Sequence, residues 1–297
     1  MTDNDTRCGY IALVGRPNVG KSTLLNHLLG QKLSITSRKP QTTRHNLLGI
    51  DTNENVQAIF VDTPGIHEAT HRAINRYMVK SALSVLADVD LIVMLSEATR
   101  WTEEDELVVK HILRQKTKAV CAINKMDLLK DKSDLLPMIA SIEKTQAFEE
   151  IIPISALKSQ GLDVFRKLVA KYLPVSPYLF PEDTFTDKSE KFLCAEIVRE
   201  KLMRRIGDEI PHRLSVVIER FSVDGSIINI DANIFVERAG QKAIVIGKGG
   251  SLLKAVGKEA RKDIEQLVGG QVMLRLWVKV KSGWSNSEAT LRQLGYD

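Results

Sequence analysis

Up to Leu173, short apolar runs alternate with stretches whose apolar residues recur at helical spacing. Tyr10-Ile11-Ala12-Leu13-Val14 reads as a buried strand, and Lys21 to Leu29 follows with Leu24, Leu25, Leu28 and Leu29 on one helical face. Further strands are expected at Leu47 to Asp51, Ala58 to Val61, Lys118 to Ile123 and Ile151 to Ile154. Residues 47–61 read as a hairpin turning at Asn53-Glu54-Asn55, which adds one antiparallel strand. This alternation predicts an α/β fold, a mostly parallel six-stranded sheet with helices on both faces.

Pro174, Pro177 and Pro181 break the pattern, and a different order of elements begins. A helix is expected from Phe192 to Ile206, then strands Leu214 to Ser222 and Ile227 to Val236 joined through Asp224-Gly225. A short helix, Gln241 to Ile246, leads into Gly247-Lys248-Gly249-Gly250 and a longer helix from Ser251 to Val268. In that helix Leu252, Leu253, Val256, Ala260, Ile264, Leu267 and Val268 share a face, and Val272 to Val280 then alternates as a last strand. Trp277 is expected in the core, whereas Trp284 and Tyr296 are left unassigned. The divisions are a first domain at 1–175, a linker at 176–191 and a second domain at 192–297 that includes a C-terminal extension.

Several strand ends carry polar motifs. After the first strand comes Gly15-Arg16-Pro17-Asn18-Val19-Gly20-Lys21-Ser22, a GxxxxGK[ST] loop in the strand-to-helix setting that such a loop requires. Its glycines let backbone N–H groups approach phosphate, Lys21 supplies positive charge, and the Ser22 hydroxyl can reach Mg²⁺. Asp62-Thr63-Pro64-Gly65 closes another strand. There Asp62 can hold Mg²⁺ through water, and the Gly65 amide can meet a γ-phosphate. Asn124-Lys125-Met126-Asp127 follows a third. A carboxylate at Asp127 accepts from both N1–H and the exocyclic amine of guanine, a donor pair that adenine lacks, so GTP is expected over ATP. Lys125 can lie along the base, Asn124 can brace the loops, and Ser155-Ala156-Leu157 can reach guanine O6 through its backbone. The polar stretch Arg38 to His45 is the expected first switch loop, with Thr43 its magnesium ligand and Thr42 the alternative.

With these motifs and the C-terminal order of elements, the chain resembles the Era family of ribosome-assembly GTPases, part of the TrmE-Era-EngA-Septin-like branch. The resemblance runs from about residue 8 to about residue 285. It implies a Ras-like P-loop GTPase domain followed by a type II KH domain of α+β build. Lys21, Thr43 and Gly65 are then catalytic, and Ser22, Thr43 and Asp62 hold Mg²⁺. Asn18 is placed to hold K⁺ where other GTPases use an arginine finger. The RNA site comprises Ile246, Gly247, Lys248, Gly249 and Gly250, with phosphate contacts from Lys242, Lys254 and Lys258. The implied partners are the 3′ end of 16S rRNA and the 30S subunit, and the implied output is slow GTP hydrolysis to GDP that times assembly. A cytoplasmic monomer, a dimer being left open, with peripheral contact to the inner membrane is also implied. Asn18 and Ile66 both depart from the Ras pattern, and Ile66 stands where a water-orienting glutamine is found. His67 and Glu68 are the nearest polar replacements.

Other functions fit less well. A tRNA-modifying GTPase of the same branch is disfavoured by the lack of a folate-binding N-terminal domain, and a double GTPase by the single phosphate loop. The alternative carried forward is a KH scaffold for RNA with a regulatory, non-hydrolysing GTP site.

Composition adds little except locally. Lys and Arg number 42 against 37 Asp and Glu, for a net charge of +5. Residues 242–281, however, hold nine basic and three acidic residues, which points that stretch toward nucleic acid. No run approaches the about 18–20 apolar residues of a membrane span. Cys8, Cys121 and Cys194 lack metal-site spacing and are expected as buried thiols of a reducing compartment.

Overall fold

The structure, a computed structural model, describes residues 6–36, 39, 42–66, 73–207 and 214–294. Contacts divide the chain into two compact units. The first comprises Met1–Ser34, Thr43–Thr70 and Arg76–Asp187; the second comprises Ile35–Thr42, His71–Asn75 and Lys188–Asp297.

The first unit is a six-stranded sheet in the order β2-β3-β1-β4-β5-β6, with only β2 antiparallel. Its strands are β1 (Arg7–Val14), β2 (Leu47–Asn53), β3 (Val56–Asp62), β4 (Leu91–Glu97), β5 (Ala119–Asn124) and β6 (Glu150–Pro153). The helices α1 (Lys21–Leu29), α2 (Ala73–Val85), α3 (Glu103–Ile112), α4 (Leu135–Glu143) and α5 (Leu162–Tyr172) lie between them. Every residue of β4 and β5 is buried, as a parallel strand covered by helices on both faces must be. The register sets Leu13 against Asp62, Glu97 against Asn124 and Ile123 against Pro153, so the carboxyl ends of β1, β3, β4, β5 and β6 share one edge. In open α/β sheets that edge is where ligands bind.

Residues of the expected linker are held against this sheet. The buried Gln57 carboxamide accepts from the amides of Leu179 (2.9 Å) and Phe180 (3.0 Å) and donates to the Phe180 carbonyl (2.8 Å). The Ile50 amide donates to the Phe185 carbonyl at 3.0 Å.

In the second unit, α6 (Glu190–Arg205) precedes the strands β7 (Leu214–Asp224) and β8 (Ile227–Val236). Then come α7 (Ala239–Ile246), α8 (Ser251–Val268), β9 (Gln271–Val280) and a short α9 (Glu288–Gln293). β7 pairs antiparallel with β8, through an irregularity between Ile218 and Arg220, and β8 pairs parallel with β9. Val198, Leu202, Ile230, Ala232, Ile234, Val245, Val256, Ala260 and Ile264 form its core. The unit also takes in Ile35–Thr42. Here the Thr36 amide (3.2 Å) and the Arg204 guanidinium (2.7 Å) donate to buried Glu200, and Arg199 donates to the Thr42 carbonyl at 2.5 Å. These bonds explain how charged side chains stay buried on α6.

Trp277 is not a core residue. On β9 the even-numbered Val272, Leu274, Leu276 and Val278 face the helices, whereas Trp277 lies on the other face and is 54% exposed. Strand parity decides its side, and the apolar character of the indole does not override it. Trp284, by contrast, is fully buried. Tyr296 lies outside the described residues.

Candidate functional site

Gly20 caps α1 without a side chain, so no cap side chain accepts from the first amides of that helix, which suit an anion. Lys21 is buried at the base of the loop and donates to the carbonyls of Gly15 (2.9 Å) and Arg16 (3.1 Å). Burial pushes its ammonium down to about 8, an effect that the nearby Asp62 charge partly offsets. Asn18 and Lys125 adopt left-handed backbone, each at φ 65°, a strain that is tolerated where surrounding structure enforces it.

Asp62 is the hub. Its Oδ2 accepts from Ser34 (2.7 Å), Ser22 (2.8 Å) and Thr43 (3.3 Å), and the Ser22 and Thr43 hydroxyls lie 3.0 Å apart. Burial pushes the Asp62 carboxyl up, against the pull of these hydroxyls and of Lys21. Its Oδ1 is buried and has no hydrogen-bond partner among the described residues. One carboxylate and two hydroxyls, all hard oxygen donors, with an unpartnered oxygen among them, fit Mg²⁺ completed by phosphate and water. Among the described residues no cluster of three His, Cys, Asp or Glu offers a rival metal site. Thr42, the alternative to Thr43, instead donates to the Lys39 carbonyl at 2.7 Å.

Gly65 abuts the phosphate loop so closely that an added Cβ would sit 2.8 Å from the Pro17 nitrogen. Only glycine brings this amide there. The Thr63 hydroxyl, donating to the Leu13 carbonyl at 2.8 Å, and buried Pro64 hold the approach. The Ile66 side chain is packed into the core beside Ala12 and Val14, while its amide donates to the Gly15 carbonyl at 3.2 Å. His67, Glu68, Arg38 and Gln41 lie outside the described residues.

The base-side loops are tied to the phosphate loop. Asn124 donates to the Val19 carbonyl at 2.8 Å and accepts from the Ala156 amide at 2.9 Å, which links the three motifs in one step. The Met126 amide donates to the Ile154 carbonyl at 3.2 Å. Ser155 acts through its side chain, donating to Asp127 Oδ1 at 2.5 Å, while Leu157 is exposed.

Sequence reasoning missed the supports of this site. Arg16 is buried and turned inward, paired with Glu97 (2.8 Å) and Asp105 (3.1 Å). Glu97 also meets Lys125 at 3.3 Å, so one carboxylate braces both the phosphate and base loops. Burial raises the Glu97 carboxyl, but the Arg16 hydrogen bond and the Lys125 charge outweigh this and hold it at about 2. Asp105 caps α3, accepting from the Thr102 amide and hydroxyl (2.9 and 2.8 Å). That capping box is legible in Thr102-x-x-Asp105, but the arginine it also holds is not.

In the second unit, Gly247 has φ 75°, and a Cβ there would meet the Leu252 Cβ at 2.8 Å, so the turn between α7 and α8 demands glycine. Gly249 and Gly250 are also left-handed, and the Gly250 amide closes on the Gly247 carbonyl at 3.0 Å. Lys248 stands exposed at the tip, Lys254 and Lys258 are exposed one turn apart on α8, Lys242 is half-buried, and Ile246 packs on the core.

The Gly15–Ser22 loop, the Asp62–Gly65 turn and the Asn124–Asp127 loop at one edge of a Ras-like sheet, joined to a type II KH fold, define a P-loop GTPase with a KH module. Residues 10–125 match the family described as 50S ribosome-binding GTPase, and residues 209–285 match the KH domain. The chain is 54% identical to GTPase Era of Ectopseudomonas mendocina over all of its length and 99% of that protein. It is also 54% identical to GTPase Era of Pseudomonas aeruginosa, over 98% of this chain and 95% of the relative. A solved Era structure, in complex with MgGDPNP and nucleotides 1506–1542 of 16S ribosomal RNA, superposes with TM-score 0.95 at 41% identity, covering 98% of this chain and 99% of that one. A point variant of Aquifex aeolicus Era bound to GDP.AlF4⁻ gives 0.94 at 40% identity, with coverage of 98% and 99%. The chain belongs to the Era family of GTPases, enzymes that hydrolyse GTP.

Proposed function

We propose that this GTPase is a timing switch in assembly of the small ribosomal subunit. GTP and GDP bind at the loops of the first unit, and the KH unit takes the 3′ end of 16S rRNA. The observation that carries the reading is the meeting of Ser22, Thr43 and Asp62 at one carboxylate, in a chain that also has the Gly247–Gly250 turn. The Era structure solved with MgGDPNP and nucleotides 1506–1542 supports the same pair of ligands.

In this reading Ser22, Thr43 and Asp62 hold Mg²⁺, whose charge stabilises the phosphate oxygens. Lys21 neutralises the β- and γ-phosphates, and the Gly65 amide contacts the γ-phosphate. Thr43 registers its presence, so hydrolysis releases the switch loop. Water attacks the γ-phosphorus and GDP leaves. Asn18 would hold K⁺, whose charge would stand in for that of an arginine finger. The protein works as a monomer on the 30S subunit, with peripheral contact to the inner membrane; among the described residues no helix is long and apolar enough to cross a membrane.

The second reading, an RNA scaffold with a non-hydrolysing GTP site, draws on Ile66, whose side chain is buried where a water-orienting group would stand. Single-turnover GTP hydrolysis, followed with and without a 16S 3′-end RNA and in potassium against sodium, separates the two. Hydrolysis that potassium speeds is expected. None under any condition favours the scaffold, and equal rates in the two salts remove the role of Asn18.

The RNA site has its own test. Replacing Lys248 and Gly249 together by Asp reverses charge at the turn and strains the left-handed position. RNA affinity should fall roughly tenfold or more while GTP affinity holds. Unchanged RNA affinity, read by filter binding, would put the RNA elsewhere.

A further inference from the structure

β9 is one of the two edge strands of the second unit's sheet, in the order β7-β8-β9. Leu274 and Leu276 on one of its faces pack on the core beneath α7 and α8. The opposite face of the sheet carries Met273, Arg275, Trp277 and Lys279, with Met273 52% and Trp277 54% exposed. Beside them on β8, Phe235 lies under the Lys281 ammonium, 5.9 Å from the ring centroid. Residues 271–281 contain three basic residues and no acidic one. Arg275 pairs with Asp231 at 2.6 Å and Lys279 with Glu219 at 3.5 Å, which keeps both cations spread on the sheet beside the indole. Exposed pairs of this kind are weak and exchange readily for phosphate.

A half-exposed tryptophan in mid-strand, bracketed by cations two residues away on each side, has the chemistry of a base-stacking platform with backbone contacts. A protein partner would fit the apolar atoms but gives no reason for this alternation of cations. We infer that the open face is a second RNA contact. A single strand leaving the Gly247–Gly250 turn crosses the β9 edge and stacks an unpaired base on Trp277, with Arg275, Lys279 and Lys281 beside its phosphates. The inference rests on the KH unit binding RNA, as proposed above.

The test uses the full chain with GTP analogue and two RNAs from the 16S 3′ end, one of about four nucleotides, the span that a GxxG turn clamps, and one of about twelve. Trp277→Ala should weaken the longer RNA roughly tenfold, about 1.4 kcal/mol, and leave the shorter one unchanged. Trp277→Phe, which keeps a stacking ring, should recover most of the loss, and an unchanged melting temperature shows that the exposed position does not carry the fold. If Trp277→Ala binds both RNAs like the parent while the Lys248/Gly249 double variant loses both, the second contact is refuted and the KH reading stands. A protein partner on this face predicts that same result. If the double variant keeps full affinity while Trp277→Ala loses it, the turn is no RNA contact and the inferred path from turn to sheet is overturned with it.

Discussion

Asp127→Asn should turn a GTP-binding protein into one that prefers xanthosine triphosphate. Guanine presents two donors to the carboxylate, whereas xanthine replaces the exocyclic amine with a carbonyl, which an amide nitrogen can serve. The structure strengthens the expectation, because the Ser155 hydroxyl donates to Asp127 Oδ1 at 2.5 Å. In the variant that hydroxyl should hold the amide oxygen and leave the NH₂ directed at the base. GTP affinity should fall on the order of 10⁴-fold, the scale at which sites built to hydrogen-bond a polar group reject its analogue. Competition against a fluorescent guanine nucleotide measures this. A variant that still prefers GTP contradicts the role given to Asp127.

Lys21→Ala carries the next largest effect. Removing the one ammonium at the base of the phosphate loop should cost roughly 10²–10³-fold in nucleotide affinity or turnover, as loss of a charge-stabilising donor does. Folding should not suffer in proportion, since the variant also removes a buried cation. The depressed ammonium adds a pH signature. In the free protein it titrates at about 8, and bound phosphate must raise that value. Affinity should therefore be level below pH 8 and weaken above it, as binding comes to require uptake of a proton. Titration calorimetry from about pH 7 to about pH 9.5 would read this slope in the parent and find it missing in Lys21→Ala. A fully active variant would refute the loop assignment.

What the chain discloses and what it hides divide along physical lines. Periodicity is local, so β1, α1, the β2–β3 hairpin and the α7–turn–α8 unit are legible, and the motifs at strand ends follow from them. The partners of the motifs are not. Ser34, Glu97 and Asp105 reach Asp62 and Arg16 across 28, 81 and 89 residues of chain, and no spacing rule spans such distances. Gln57 is similar: a polar residue inside an apolar strand, whose purpose emerges only when residues 179 and 180 come back to meet it. Trp277 shows a different error. The alternation along Val272 to Val280 already puts it on the face of Arg275 and Lys279, and an expectation of burial lets residue type outweigh parity. Large apolar side chains are common on surfaces, so an exposed one is informative through its neighbours.

The three cysteines have a practical use. Cys121 and Cys194 are completely buried, one in each unit, and burial pushes both thiols up to about 12; Cys8 is raised in the same way. Sulfhydryl reagents should therefore pass over the folded protein and react only when a unit opens. Alkylation at Cys194 would then clock opening of the RNA-binding half and alkylation at Cys121 that of the nucleotide half. The chain would carry a native stopwatch for each, with no engineered label.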